Sequence, residues 1–469
     1  MPTSRSSFRH PALALSLAVA LAGGCRSYGP SPLALDAHEA TFIAREASAS
    51  EVAEFARSLA PAGAGAAAFD PSDGLSVGEA EIVALVFNPD LRERRLAAGI
   101  VAAGAAHAAD WDDPRVGLDL TRILDGGDWE AIGSISLTIP ISGRLEIEKA
   151  RADAEHLVAL EELARDEWLV RAEVRRRFAR VAAAAARVAA AEVHLARIEE
   201  IDVLVRTLEE RGELARIEAR LFAIERATGA AELASLRADL EHARIDLARV
   251  LGLAKVPALA IDGIGAAPAP GETGDALRNP EVRVARAAYA VAERALEAEV
   301  RRQFPDLEIG PGYGKQDGDR QLVLGLSVPI PVLSGNRRAI NKAEAARELA
   351  RARAEHAVER FLLDRAEAIA HTEHAVERRE RIEREIVPLV DAQESEVRRV
   401  VALGGEVTSL VVLESVKRQH ETRLELIEAR LEEALARIEL EAVAGENPDG
   451  SVEEQSNDGA EAPQSEVGR

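Results

Sequence analysis

The chain has 469 residues, a formal net charge of −23, 30% charged residues and only 3% aromatics. So acidic a chain argues against nucleic acid as a partner, and its single cysteine, Cys25, excludes a disulfide framework or a thiolate metal site. Abundant Ala, Leu, Glu and Arg point to long helices rather than compact globules.

Residues 1–24 read as a secretory signal: Arg5 and Arg9 precede an apolar run from Ala12 to Ala22, and small residues follow. The run is too short to span a bilayer as a mature helix. Ala22-Gly23-Gly24-Cys25 resembles a bacterial lipobox, which implies a diacylated Cys25 at the mature N-terminus, anchored in lipid. Arg26, in place of Asp, implies by the same resemblance retention in the outer membrane. Residues 25–74, rich in Pro, Ala, Gly and Ser, read as a lipidated tether with one short helix between Ala37 and Leu59.

A first structural repeat is expected over 75–256. Ser76 is a candidate N-cap for a helix carrying Ile82, Leu85 and Val86 on one face; Asn88-Pro89 interrupts it, and Leu91 to Asp110 resumes it. Val116, Leu118 and Leu120 alternate with Gly117, Asp119 and Thr121, as in a strand with two unlike faces. A loop at Asp125-Gly126-Gly127-Asp128 leads to a second strand that ends at Ile141, after which Ser142-Gly143 opens a helix of roughly sixty residues. Leu157, Leu160, Ala164, Trp168 and Ala172 give that helix an apolar stripe, and Arg211-Gly212-Glu213 should reverse it.

Residues 257–274 read as a linker, and 275–445 repeat the first half. Asn279-Pro280 answers Asn88-Pro89, Pro305 answers Pro114, Ser334-Gly335 answers Ser142-Gly143, and Gly405-Glu406 answers Gly212-Glu213. Offsets of roughly 190 residues at every landmark mark an internal duplication. In this half Leu322, Leu324, Leu326 and Val328 form the apolar side of a strand, Pro329 and Pro331 end it, and Ser334-Gly335-Asn336 offers a turn and a helix cap. Ala346, Ala350, Ala354, Ala357 and Phe361 make the outgoing stripe; Val412, Val416, Leu424, Ile427, Leu431, Leu435 and Ile438 make the returning one. Residues 446–469 are acidic, with the composition of a disordered tail.

The strands carry apolar faces that nothing in the chain is large enough to cover, and their length suits an outer-membrane barrel. Four strands cannot close a barrel, which needs about eight, and open edges in lipid cost several kcal/mol per unsatisfied group. The chain must therefore oligomerise: two copies give about eight strands with a filled interior, three give about twelve with a lumen. Ser134, Ser136, Thr138, Gly325 and Ser327 suit a wet interior, and Trp129 and Tyr313 are candidate interfacial anchors. The fold class expected is mainly α with a membrane β-barrel portion.

These residues resemble the TolC-like outer-membrane efflux proteins over roughly residues 75 to 445. The carriers are the two Asn-Pro pairs, Phe304-Pro305-Asp306-Leu307, Leu326-Ser327-Val328-Pro329-Ile330-Pro331, and the hairpin from Leu403-Gly404-Gly405-Glu406 through Val407-Thr408-Ser409-Leu410. Asp70-Pro71-Ser72-Asp73-Gly74-Leu75 and the Pro-Ile-Pro junction look most like the heavy-metal-efflux branch. The resemblance implies a homotrimer: a 12-stranded barrel in the outer membrane, continuous with a helical barrel across the periplasm. It also implies docking on a periplasmic adaptor, or membrane fusion protein, that belongs to an inner-membrane pump. The first hairpin tip, Glu209-Glu210-Arg211-Gly212-Glu213, is more charged than the family pattern, and the first repeat lacks a second proline after Pro140.

No convergent nucleophile, base and acid are visible, so no enzyme activity is expected, and no cofactor or metal. His371-Thr372-Glu373-His374 reads as a solvated helix face, Arg175-Arg176-Arg177 as a helix surface with Glu partners, and Gly310, Gly312 and Gly314 precede no helix that would cradle phosphate. At the tips, Gly212, Gly404 and Gly405 permit tight reversals. Glu213, Glu406, Val407, Leu410 and Val411 are candidate adaptor contacts, and Glu209, Glu210, Glu213 and Glu406 are candidate pore-entrance acids. The function expected is a passive efflux duct. A lipid-anchored coiled-coil scaffold without a lumen is the alternative, and the exported substrate is not legible.

Overall fold

The computed structural model describes residues 28–59, 69–122, 129–264, 275–316, 319–330, 333–403 and 407–445. It divides into two units, Met1–Arg45 and Glu46–Arg469. Where one helix was expected before residue 60 there are two. α1 (Leu35–Ile43), with no buried side chain, lies in the first unit, and α2 (Ser50–Leu59) lies in the second. Val52 on α2 is fully buried in a cluster with Leu75, Val83, Phe87, Val181 and Leu251, so part of the Pro- and Ala-rich leader is core.

The rest is one motif built twice. The first repeat runs α3 (Val77–Phe87), α4 (Pro89–Ala106), β1 (Arg115–Arg122), β2 (Trp129–Ile139), α5 (Arg144–Glu210) and α6 (Arg216–Leu251). The second runs α7 (Pro280–Arg301), β3 (Leu307–Gln316), β4 (Asp319–Ser327), α8 (Arg337–Arg381), α9 (Val387–Ala402) and α10 (Ser409–Ala444). α5 has 67 residues and so spans about 100 Å at 1.5 Å per residue.

Each Asn-Pro pair is a joint as well as a cap. Asn88 Oδ1 accepts from the N–H groups of Asp90 and Leu91, the first free donors after Pro89, and Asn88 Nδ2 donates 2.9 Å to the Val250 carbonyl at the end of α6. Asn279 does the same for Glu281 and Val282, and reaches the Val443 carbonyl at the end of α10 at 2.8 Å. One side chain thus starts a short helix and holds the far end of the returning long one. Gly252, at φ +69°, closes the first joint so tightly that a Cβ there would stand 2.1 Å from the Phe87 carbonyl oxygen. Gly445 closes the second, where a Cβ would stand 2.9 Å from the Arg278 carbonyl oxygen.

The helices pack through small residues. Ala172, Ala179 and Ala183 of α5 meet Ile427, Leu431, Ala434 and Ile438 of α10, which joins the two hairpins. Nearer the tips, Ile198, Ile201 and Val205 of α5 close on Phe222 of α6 and on Leu413 and Val416 of α10. Of the expected α5 stripe, Ala172 is buried, but Leu157 and Leu160 stay 47% and 44% exposed. Between α8 and α9 the backbone takes one π-helical turn at Ile382–Ile386. Pro388 lies just beyond; it lacks an N–H and crowds the carbonyl four residues back, so the turn widens without ending the helix.

Arg175 is not the surface residue expected. Its guanidinium lies between Glu81 of α3 and Glu441 of α10, all three largely buried, and ties the short helix to both hairpins. Burial works against its charge, but the two carboxylates outweigh that and hold its pKa above the ordinary arginine value. Arg176 and Arg177 pair with Glu173, as expected of a helix surface.

Candidate duct wall, strand-helix junctions and hairpin tips

The four strands form one antiparallel sheet in the order β1-β2-β3-β4, so its central seam, β2 with β3, joins the two repeats. Directly paired residues share a face, and the register sorts the side chains into two sets. One face carries Val116, Leu118, Leu120, Ile135, Ile309, Leu322, Leu324 and Leu326. The other carries Gly117, Asp119, Ser134, Ser136, Thr138, Gly310, Gly312, Gly314, Gly325 and Ser327. The apolar face is bare: Val116 is 82% exposed, Leu322 80% and Leu324 74%. The glycines of the polar face permit close strand approach, since a Cβ at Gly314 would stand 2.4 Å from the Ala131 carbonyl oxygen. That explains the Gly310-x-Gly312-x-Gly314 spacing, which has nothing to do with phosphate.

Pro311 lies within an inner strand, where prolines are rare. The β2–β3 ladder skips this place, running from Ser134↔Gly312 to Leu137↔Ile309. Among the described residues β1 and β4 have no outer neighbour, so each presents an unpaired edge. No helix among the described residues is long and apolar enough to cross a membrane.

At the first strand-to-helix junction the sheet ends at Pro140, and Gly143 takes the left-handed conformation, φ +71°. Ser142 Oγ donates 2.6 Å to Asp306 Oδ1, and Arg144 Nε donates 3.2 Å to Asp306 Oδ2. The aspartate of Phe304-Pro305-Asp306-Leu307 therefore locks the start of β3 to the start of α5. At the second junction Pro329 ends the sheet, and Gly335 and Asn336 are both left-handed, at φ +51° and +54°. Asn336 makes no side-chain cap to α8, contrary to expectation. Its Nδ2 instead donates to the Glu299 carbonyl at 2.8 Å and to the Glu299 carboxylate at 2.9 Å, fastening the junction to the end of α7. Cys25, Pro331, Gly404, Gly405 and Glu406 lie outside the described residues.

The first tip turns at Gly212, φ +74°. Glu210 and Glu213 are exposed there, and Glu209 lies 3.8 Å from Arg216. At the second tip Val407 is half-buried, Leu410 is 62% exposed and Val411 44%, while Leu413 and Val416 face inward. Among the described residues the two tips thus differ in chemistry, with acids exposed at the first and apolar side chains at the second.

A feature missed in the sequence lies between the hairpins. His194 of α5 and His420 of α10 stack with centroids 4.2 Å apart and planes 11° apart. His194 Nε2 faces Glu225 of α6 at 3.6 Å, and His420 Nε2 faces Glu232 of α6 at 3.3 Å. Lys417 of α10 completes the group, 3.2 Å from Glu225. Burial first, and then the second imidazole, push the His194 pKa below the ordinary histidine value against the pull of Glu225. The two histidines are far apart in the sequence, so no spacing pointed to them. His371 lies 3.9 Å from Glu439 on an exposed face. Among the described residues no three His, Cys, Asp or Glu side chains converge as metal ligands would.

No protein-family model matches the chain. No characterised sequence matches it either. Solved structures do. CusC, a transmembrane channel, is 18% identical with a TM-score of 0.66, over 79% of this chain and 92% of its own. The Neisseria gonorrhoeae outer-membrane channel MtrE in its open state is 16% identical, TM-score 0.66, over 79% and 88%. The Vibrio cholerae outer-membrane protein VceC is 15% identical, TM-score 0.64, over 79% and 96%. The duplicated helix-hairpin-helix plan, with its four-stranded sheet and paired long-helix hairpins, is accordingly the fold of the TolC-like outer-membrane channels.

Proposed function

We propose that three copies of the chain close into an outer-membrane efflux duct, through which substrate delivered by a periplasmic adaptor and an inner-membrane pump passes without chemistry. The observation that carries this reading is the sheet, with one bare apolar face, one glycine- and serine-lined face, and two unpaired edges. In water such a sheet would aggregate; in lipid it must be closed. Leu349, Leu362, Leu363 and Leu389, exposed on α8 and α9, supply apolar surface for neighbouring copies along the helices. Cys25 would hold the leader to the membrane by its lipid. The acidic tips would ring the periplasmic entrance, with Leu410 and Val411 meeting the adaptor.

The duplication supports one register for the seam between copies. Thr138 and Ser327 both lie opposite Glu308, and Leu137 and Leu326 both lie opposite Ile309, so β2 and β4 are equivalent. Matched by strand pairing rather than by the Pro114 and Pro305 landmark, which is displaced from it by four residues, Ser136 answers Gly325, and their partners Arg115 and Gly310 answer one another, as do Leu118 and Tyr313. The β2–β3 pair Gly133↔Tyr313 then translates to Leu322 of one copy opposite Leu118 of the next. All residues brought level this way fall on matching faces.

The double variant Leu118→Cys/Leu322→Cys should oxidise to covalent dimers and trimers in membranes, and neither single variant should. The pair Leu118→Cys/Leu324→Cys, offset to about 7–8 Å, should react far less. Single-channel conductance in a planar bilayer completes the test. A monomer that neither cross-links nor conducts would overturn the duct in favour of a scaffold.

A further inference from the structure

The apolar face of the sheet is not uniform along its length. At the end where the helices leave, it finishes in Ile139, Leu307, Leu326 and Val328, without a charge. At the hairpin end the same face finishes in Arg122, Lys315 and Arg320, together with Trp129. Arg122 stands directly across from Trp129, its guanidinium carbon 5.6 Å from the indole centroid. Lys315 stands directly across from Arg320, which puts two like charges about 5 Å apart at Cβ. All four side chains are exposed, and among the described residues none of the three cations has a carboxylate partner. Like charges directly opposite on adjacent strands are destabilising unless an anion lies between them.

We propose that this end of the lipid-side face is a binding rim for the phosphate groups of the acylated glycolipid of the outer leaflet. The proposal rests on the outer-membrane reading above and deepens it. Charge complementarity and position together select this occupant. Among the described residues of the apolar face, the cations lie at the strand ends remote from the helices, where side chains of this kind reach up to headgroup level. An indole beside them suits the same depth. The opposed cation pair belongs to the β3–β4 hairpin and the cation–indole pair to the β1–β2 hairpin, so three copies would carry each of them three times around the wall. At the other end this face of the sheet carries no charge among the described residues.

The test uses purified full-length oligomer in detergent and the triple variant Arg122→Gln/Lys315→Gln/Arg320→Gln, each titrated with bis-phosphorylated lipid A, dephosphorylated lipid A and phosphatidylglycerol. Bound lipid is read by native mass spectrometry, and conductance is recorded on the same preparations. A cation near an anionic surface is worth a factor of about five, so the wild type should bind bis-phosphorylated lipid A on the order of a hundredfold more tightly than the variant. Dephosphorylated lipid A should not distinguish the two proteins. Both should conduct alike, because the three side chains lie away from the polar face. Conducting protein that binds both forms of lipid A equally, or a variant that binds as well as wild type, overturns the rim and leaves the duct standing. Equal preference for phosphatidylglycerol overturns the assignment to the glycolipid. A preference for phosphorylated lipid A in protein that does not conduct supports the rim and counts against the duct.

Discussion

Replacing Asn88 with alanine removes three hydrogen bonds at once, and they belong to two different elements. Loss of the cap on Asp90 and Leu91 costs about 1 kcal/mol. Loss of the bond to Val250 leaves a carbonyl without a partner where Asn88 is only 4% exposed, which adds about 1–3 kcal/mol. The sum, about 2–4 kcal/mol, corresponds to a roughly thirty- to several-hundredfold rise in local opening. Hydrogen exchange followed by mass spectrometry should show that rise in the last turn of α6 and the first of α4, and not at the end of α10. Asn279→Ala should give the mirror image, at the ends of α10 and α7. Asn88→Asp keeps the cap but sets a carboxylate against the Val250 carbonyl; it should be worse than Ala at neutral pH and recover in acid, when the protonated side chain can donate again. Uniform loss of protection, or a change under about fivefold at the α6 end, would refute the account of the Asn-Pro pair as a joint.

The histidine stack predicts a pH dependence with a definite sign. The folded pKa of His194 lies below its unfolded value of about 6.5, so the folded chain binds fewer protons, and stability present at neutral pH is lost as pH falls below about 6.5. Glu225 and Glu232 on α6, and Lys417 and His420 on α10, are the charged or titratable groups facing it. Thermal unfolding at pH 7.5 and 5.5 should show a smaller acid loss in His194→Gln than in the wild type; equal losses would place the sensitivity elsewhere. Gly252→Ala should be more damaging than Gly445→Ala. Both need a left-handed backbone, at about 1–2 kcal/mol, but only the first drives a Cβ to within 2.1 Å of a carbonyl oxygen. Comparing oligomer yield and melting temperature of the two variants checks the order.

Much of this architecture is legible in the chain because it is periodic. The alternation of Val116, Leu118 and Leu120 against Gly117, Asp119 and Thr121 fixes strand and face together, and the repeat landmarks fix the duplication. The prolines and glycines mark where strands stop and hairpins turn, since their backbone limits are local. What the sequence does not disclose is long-range pairing. Nothing near Asn88 announces Val250, nothing near Asp306 announces Ser142 and Arg144, and Arg175 reads as one of three adjacent arginines until the fold brings Glu81 and Glu441 to it. Asn336 misleads for a related reason: a residue suited to capping the next helix is used to hold the previous one. Register is hidden likewise, and with it the concentration of cations at one end of the apolar face.

Among the described residues the two hairpin turns carry different surfaces, Glu209, Glu210 and Glu213 on one and Leu410 and Val411 on the other. In a ring of three, acidic and greasy ends alternate, so a partner built from six identical subunits would have to accept both with the same residues. A partner of three, each straddling one end of either kind, meets a single repeated environment. Interchanging the two turns within the chain would turn that pattern by one position without altering its composition, and so separates a partner that reads the order of the ends from one that senses only their total charge.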